Sequence, residues 1–431
     1  MNLLLRGMTI LPSADGNVIY GGEIAIAGGE ILAVGPAGSS PAGFVPDEVI
    51  EAAGMLATPG LVNAHTHAAM VLFRGYADDM PLMPWLTEKI WPAEARLTGE
   101  DVYWGTLLAC AEMIRGGTTA FADMYFFMDD VARAVAESGM RAFLSRGLIG
   151  SAPNGEEALA ENIAFVRAWH GGADGRITCA LGPHAPYTCP PDYLRKVMEK
   201  ADALGVGLHI HVAETRAEDD EVRKRYGRSP VAHLDSLGLF DRPTLAAHCV
   251  HLDDGDIETL ARCGVGIAHC PQSNMKLASG IAPVTRLLEA GARVGIGTDG
   301  ASSNNDLDMI EETRTASFLQ KVACEDPTVL PAPRAAALAT LGGARAVGLD
   351  ECIGTLEAGK RADIVLWDWR AAHLNPPHDT YAHLVYAAKG SDVRTVIIDG
   401  RVVMRDRVLL TMDEEKVIAE AGRCARRLIG K

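Results

Sequence analysis

Apolar residues in this chain come in short runs, and the spacing between runs changes twice. In the first 55 residues the runs are broken by glycine: residues 21–35 (GGEIAIAGGEILAVG) place two apolar segments around a Gly-Gly pair, which predicts a β-hairpin. The same pattern returns in residues 362–368 and 393–404, the latter with an Asp-Gly turn at Asp399-Gly400. β-rich segments at both ends predict one small β-sandwich domain assembled from residues 1–55 and 351–431, finishing in a terminal helix. Between them the grammar is strand, loop, helix, repeated. Strands are expected at 56–63, 118–123, 141–146, 177–183, 207–212, 244–247, 266–269 and 293–297, with helix-length stretches such as 99–115, 192–204, 253–262 and 281–290 in the gaps. Eight such units over residues 56–350 predict an α/β (β/α)8 TIM-like barrel. A doubly wound open sheet is the structural rival, but no G-x-G-x-x-G follows the first strand.

The polar residues fall where the apolar runs stop. The ends of the successive strands carry His65 and His67, Asp123, Arg146, His184, His211 with Glu214, His248, His269 and Asp299. Strands of a parallel barrel all end at one face, so these side chains are expected to meet at a single mouth. Side chains alternate along a strand, so His65 and His67 project to the same side and can grip one metal ion. Imidazole nitrogen suits a borderline cation such as zinc, although iron, manganese or nickel would accept the same donors.

A catalytic zinc site needs about three or four protein ligands and an open position. His65, His67, His211 and Asp299 supply them. His211 is preferred to His209 within Leu208-His-Ile-His-Val212 because Glu214 follows it closely and would stand beside the metal. His209 is expected to pack in the barrel interior. Zinc can lower the pKa of a bound water to about 7, which leaves Glu214, His248 and Asp299 as candidate catalytic groups that handle protons. His251 is expected to be a structural loop histidine. His184 occupies the fourth strand end, where metal pairs in such barrels commonly need a lysine carbamate; with no lysine there, one metal per subunit is expected.

Composition narrows the ligand. A formal charge of −16 over 431 residues disfavours nucleic acid. No run approaches the roughly 20 apolar residues of a membrane helix, and Arg6 interrupts the apolar N-terminus, so neither a membrane partner nor a signal peptide is expected. The nine cysteines are scattered and never form a C-x-x-C pair, as for reduced thiols in the cytoplasm.

Taken together, His65-Thr-His67, His184, His211-Val-Ala-Glu214, His248, His269-Cys-Pro-Gln-Ser-Asn274 and Thr298-Asp-Gly-Ala-Ser-Ser-Asn-Asn305 resemble the amidohydrolase superfamily. Within it the likeness is closest to the family of bacterial 5′-methylthioadenosine/S-adenosylhomocysteine deaminases, and it continues through residues 354–364 (GTLEAGKRADI), similar to the superfamily's return into its β-domain. The resemblance implies His65, His67, His211 and Asp299 as zinc ligands, and Glu94, Arg146, His184, Glu214 and Asp299 as residues that touch substrate. Glu94, in the loop after the first strand, is expected to hold the ribose hydroxyls. Some members carry a second substrate arginine; residues 151–160 hold none. The implied reaction is hydrolytic deamination of a 5′-modified adenosine (5′-methylthioadenosine, S-adenosylhomocysteine, adenosine or 5′-deoxyadenosine) to the inosine analogue and ammonia, by a soluble, cytoplasmic enzyme whose partner is a small-molecule nucleoside and which can form a dimer or tetramer. Rival readings are deamination or dechlorination of another N-heterocycle (guanine, cytosine, a triazine), an imidazolonepropionase-like ring opening, and a zinc-stabilised binding protein without activity.

Overall fold

The computed structural model describes residues 1–13 and 16–430. The chain begins with β1 (Asn2–Ile10), β2 (Ile19–Ala27), β3 (Glu30–Pro36), β4 (Glu48–Glu51) and β5 (Met55–Pro59). It then runs through β6 (Leu61–Thr66), β7 (Thr118–Tyr125), β8 (Arg141–Leu148), β9 (Ile177–Pro183), β10 (Leu208–Val212), β11 (Thr244–His248), β12 (Gly266–His269) and β13 (Arg293–Ile296), and ends with β14 (Ile364–Asp368), β15 (Val393–Ile398), β16 (Arg401–Arg405) and β17 (Val408–Leu409). Strands β6 to β13 are all parallel neighbours in chain order. Helices such as Gly99–Arg115, Pro191–Leu204 and Asp254–Arg262 fill the connections, so this is a TIM-like barrel.

The barrel closes where the last strand returns to the first. Asp299 N–H donates to His65 O at 2.9 Å. The Asn63 amide binds Thr298 twice, donating to its hydroxyl at 2.8 Å and accepting from its N–H at 3.0 Å. Every residue of β6 is buried, as a strand enclosed on both faces must be.

Both termini build the second sheet, in the order β17-β16-β15-β14-β5-β1-β2-β3 with β4 beside β1. Leu3, Leu5, Ile24 and Ile26 share one buried cluster with Ile364, Leu366 and Ile397, a core that neither terminus closes alone. The Gly28-Gly29 and Asp399-Gly400 turns have positive φ throughout, as tight two-residue hairpins require. One expected element divides: the run expected as a single strand over 56–63 is two, with β5 in the terminal sheet and β6 in the barrel. Pro59 offers no N–H to a ladder, and a β-carbon at Gly60 would collide with Thr119.

Two links tie the parts together. Arg141, at the start of β8 and 4 % exposed, lies between Asp363 at 3.1 Å and Asp399 at 3.2 Å, both in the terminal segment. The C-terminal helix Glu414–Ile429 packs on Gly99–Arg115, with Arg427 on Asp101, Arg423 on Glu100 and Glu414 on Arg115. Among the described residues no helix is long and apolar enough to cross a membrane.

Candidate metal centre and active site

The ends of β6 and β10 bring His65, His67 and His211 together, and each ring is held from behind. His67 Nδ1 lies 2.6 Å from Met124 O and His211 Nδ1 2.8 Å from His184 O. A carbonyl only accepts, so both rings carry their proton on Nδ1 and present a bare Nε2. His65 Nδ1 lies 2.9 Å from His209 Nε2. On the open side His67 and His211 Nε2 are 3.4 Å apart, and Asp299 Oδ1 stands 3.4 Å from His65 Nε2 and 3.3 Å from His67 Nε2. Ligand pairs about 2.0–2.1 Å from one tetrahedral ion stand about 3.3–3.4 Å apart. Buried His65 Nε2 has no hydrogen-bond partner among the described residues. Lone pairs that converge without a proton between them fit a cation, and the two overlapping groups His65, His67, His211 and His65, His248, Asp299 form a metal-binding cluster.

Electrostatics keep the donors in the required form. Burial pushes the His65 imidazole down to about 4 and that of His211 well below its usual range, so both are neutral bases. Burial alone would raise the Asp299 carboxyl, but among the His65, His67 and His248 imidazoles the group is held well below the usual carboxylate range. Its other oxygen accepts from Ser273 Oγ at 2.6 Å and Ser303 Oγ at 2.9 Å, which fixes the rotamer.

Glu214 stands beside this cluster, next to its member His248. His248 Nδ1 binds Asn274 Oδ1 at 2.9 Å, leaving Nε2 3.9 Å from Glu214 Oε2. Burial opposes protonation of His248, yet the Glu214 and Asp299 carboxylates overcome it and the imidazole titrates above its usual value; burial likewise raises the Glu214 carboxyl. Glu218 clamps the loop, accepting from Ala213 N–H at 3.0 Å and Glu214 N–H at 2.8 Å. Left-handed backbone recurs here at non-glycine residues, with φ of +52° at Ala213, +72° at His248 and +59° at Asp299. Such conformations cost energy and persist only where the surroundings impose them.

An aromatic and aliphatic cavity opens above the cluster, walled by Trp85, Leu86, Ile90, Phe126 and Leu277. The stretch Leu82–Glu94 supplies much of this wall and places Glu94 in it. Glu94 Oε1 accepts from the Tyr125 hydroxyl at 2.7 Å, and burial pushes its carboxyl up to about 7. His184 lines the same cavity with Nδ1 3.0 Å from Thr188 Oγ1, and burial lowers its imidazole to about 4.

Three strand-end residues join neither this wall nor the metal cluster. Arg146 faces an adjoining cavity that shares Trp91, Glu94 and Phe126 with the first, and it pairs with Glu161 at 2.6 Å. Asp123 is buried and accepts from Ala68 N–H at 2.7 Å, bracing the turn that carries His67. His269 is buried at the end of β12, and neither ring nitrogen has a partner among the described residues. His251 binds Ser279 O at 2.7 Å, a structural loop contact. Tyr125, Ser273 and Ser303 were missing from the expected set. Tyr125 lies two positions beyond Asp123 and so shares its face of β7, the one sequence signal that marked it.

Residues 56–403 match the model of the amidohydrolase family, and the chain belongs to that family. It is 62 % identical over 429 residues to the 5-methylthioadenosine/S-adenosylhomocysteine deaminase of Desulforudis audaxviator, covering 100 % of this chain and 99 % of that one. Among solved structures it is similar to an adenosine deaminase from Xanthomonas campestris with bound zinc, at 39 % identity and a TM-score of 0.95 over 100 % of this chain and 99 % of that one. Atrazine chlorohydrolase from Arthrobacter aurescens, complexed with zinc, shares the fold at 24 % identity and a TM-score of 0.90, covering 98 % of this chain and 100 % of that one.

Proposed function

We propose that this chain is a metal-dependent aminohydrolase that converts 5′-modified adenosines, among them 5′-methylthioadenosine and S-adenosylhomocysteine, to the inosine analogue and ammonia. The observation that carries the reading is the set of bare imidazole nitrogens and one carboxylate oxygen that converge beside Glu214 and His248 at the floor of an aromatic cavity. The names of the 62 % identical relative and of the 39 % identical structure favour adenine over other heterocycles. His65, His67, His211 and Asp299 would hold one divalent ion per chain, zinc in the first instance. When bound, the ion supplies Lewis-acid activation of water.

The chain's own groups then manage the protons. Glu214 takes a proton from the attacking water and passes it to the ring nitrogen next to the amino-bearing carbon. As the carbon–oxygen bond forms, the electron pair of the ring C=N bond moves onto that nitrogen. His248 and Asp299 hold the incoming oxygen and relay its second proton to the amino group, which leaves with the C–N electron pair as ammonia while the carbonyl forms. Each such acid–base step is worth about 10²–10⁴ in rate. Glu94 accepts from the ribose hydroxyls, His184 faces the base or sugar, and Arg146 in the adjoining cavity receives the far end of the 5′ substituent. A cytoplasmic location and assembly into a dimer or tetramer belong to the same reading.

The test is ultraviolet absorbance of zinc-loaded protein with each nucleoside, paired with an ammonia assay. A shift from the adenine to the hypoxanthine spectrum is expected. Folded, zinc-loaded protein that leaves every adenosine unchanged would overturn the substrate assignment.

A further inference from the structure

Three histidines of the metal cluster, His65, His67 and His211, are not held in the same way. His67 and His211 each lean on a main-chain carbonyl, Met124 O and His184 O, whereas His65 leans on a second buried histidine. His209 is fully buried, and its Nδ1 lies 3.0 Å from Ser145 Oγ. Ser145 Oγ in turn donates to Asp123 O at 3.1 Å. These residues stand on β6, β10, β8 and β7, so the chain crosses the barrel interior below the cluster.

The protons can be assigned from the far end. Asp123 O only accepts, so the single hydroxyl proton of Ser145 goes to it. Ser145 Oγ is then an acceptor for His209, which must carry its proton on Nδ1 and leave Nε2 bare. A bare His209 Nε2 accepts from His65 Nδ1–H. His65 is thereby left with a bare Nε2, the atom 3.4 Å from Asp299 Oδ1. In the opposite assignment Ser145 would donate to His209, His209 to His65, and His65 Nε2 would hold a proton that blocks a metal.

We propose that Ser145 and His209 are positioning residues for the metal ion, a relay that fixes the tautomer and orientation of His65. The proposal rests on the reading that this cluster holds a divalent ion. A carboxylate behind a ligand histidine would add a buried negative charge, whereas a neutral imidazole supplies an acceptor without one. The second His-x-His of the sequence therefore divides its labour: His211 faces the cluster and His209 orients a ligand from the opposite side of the barrel.

The experiment measures zinc dissociation constants by chelator competition for the wild type, His209→Phe, His209→Gln and Ser145→Ala, with the melting temperature of each metal-free protein alongside. Phenylalanine fills the space without an acceptor, and zinc binding is expected to weaken about 10–100-fold, the usual range when such an outer partner is lost. Glutamine places an amide oxygen near the position of Nε2 and is expected to bring the constant back to within about threefold of wild type. Ser145→Ala, which removes one oxygen and is the variant safest for folding, should fall between the two. Unchanged zinc affinity in His209→Phe and Ser145→Ala would overturn the relay. Equal weakening in His209→Phe and His209→Gln would also overturn it, because packing alone would then account for the loss. Wild-type protein without measurable zinc affinity would overturn the metal reading and the relay together, which separates that failure from the others.

Discussion

Replacing Glu214 by glutamine separates proton transfer from metal binding. The Glu214 side chain is largely enclosed, its main-chain N–H is held by Glu218 at 2.8 Å, and the nearest charged partner of its carboxylate is His248 at 3.9 Å. Glutamine has nearly the same volume, breaks no hydrogen bond to the carboxylate from the described residues, and removes the cost of burying a charge, the cost that raises this carboxyl. Stability is therefore expected to change by less than about 1 kcal/mol, as for substitutions without a cavity or a stranded partner. Glutamine cannot accept the proton of water. Losing an acid–base step of about 10²–10⁴ corresponds to about 3–5 kcal/mol of barrier, so kcat should fall by that factor. Zinc content should not fall, since Glu214 is outside the converging set. The assay follows the adenine-to-hypoxanthine absorbance change, with metal content measured on the same sample. Turnover within about tenfold of wild type, with zinc retained, would refute the proton-shuttle role.

Other perturbations address the remaining groups. Stripping the metal with a chelator is expected to abolish turnover while near-ultraviolet circular dichroism stays native, because backbone carbonyls and His209 hold the ligand rings; collapse of the fold would mark a structural site instead. In its proposed role Glu94 must be ionised to accept from both ribose hydroxyls, so kcat/KM should decline as pH falls through about 7, and Glu94→Gln should remove that limb from the profile. Burial raises this carboxyl from 4.5 to about 7, so the folded state prefers the neutral acid: its stabilising effect is complete below 4.5 and is lost as pH rises through about 7. Glu94→Gln should accordingly melt no lower than wild type at pH 8, and a lower melting temperature there would contradict the sign. Arg141→Ala strands buried Asp363 and should cost about 3–5 kcal/mol in urea unfolding, whereas a loss below about 1 kcal/mol would show that the pair is not needed to join barrel and sheet.

Much of this was legible because the barrel repeats one rule. Apolar runs end in a polar residue at the same face, so the positions of β7 to β13 follow from the runs to within a residue or two, and the histidines that converge follow from the run ends. The exception is instructive. Residues 56–63 are mostly apolar, and burial in the small sheet looks the same in sequence as burial in the barrel; only Pro59-Gly60 marks the change of partner. Tyr125 was hidden for a related reason, since a tyrosine among apolar residues reads as core until its hydroxyl is seen on Glu94. Ser273 and Ser303 approach Asp299 from a neighbouring helix and from the turn beyond it, and no local pattern announces that a hydroxyl will find a carboxylate. Arg146 shows the converse: its place at a strand end is as expected, but Glu161 draws it toward the adjoining cavity.

The seam of the barrel has a consequence for assembly in time. Asn63 and Thr298, which join the first strand to the last, are 235 residues apart, and the same junction carries His65 O on Asp299 N–H. Closing a loop of that length gains nothing until both edges are in register, which makes it a late step of folding. Before it, β6 and β10 can offer only histidines, and the carboxylate of Asp299 is absent. Tight metal capture thus coincides with the last strand coming home, and the moment at which a refolding chain takes up zinc from an indicator dye times the closure of its barrel.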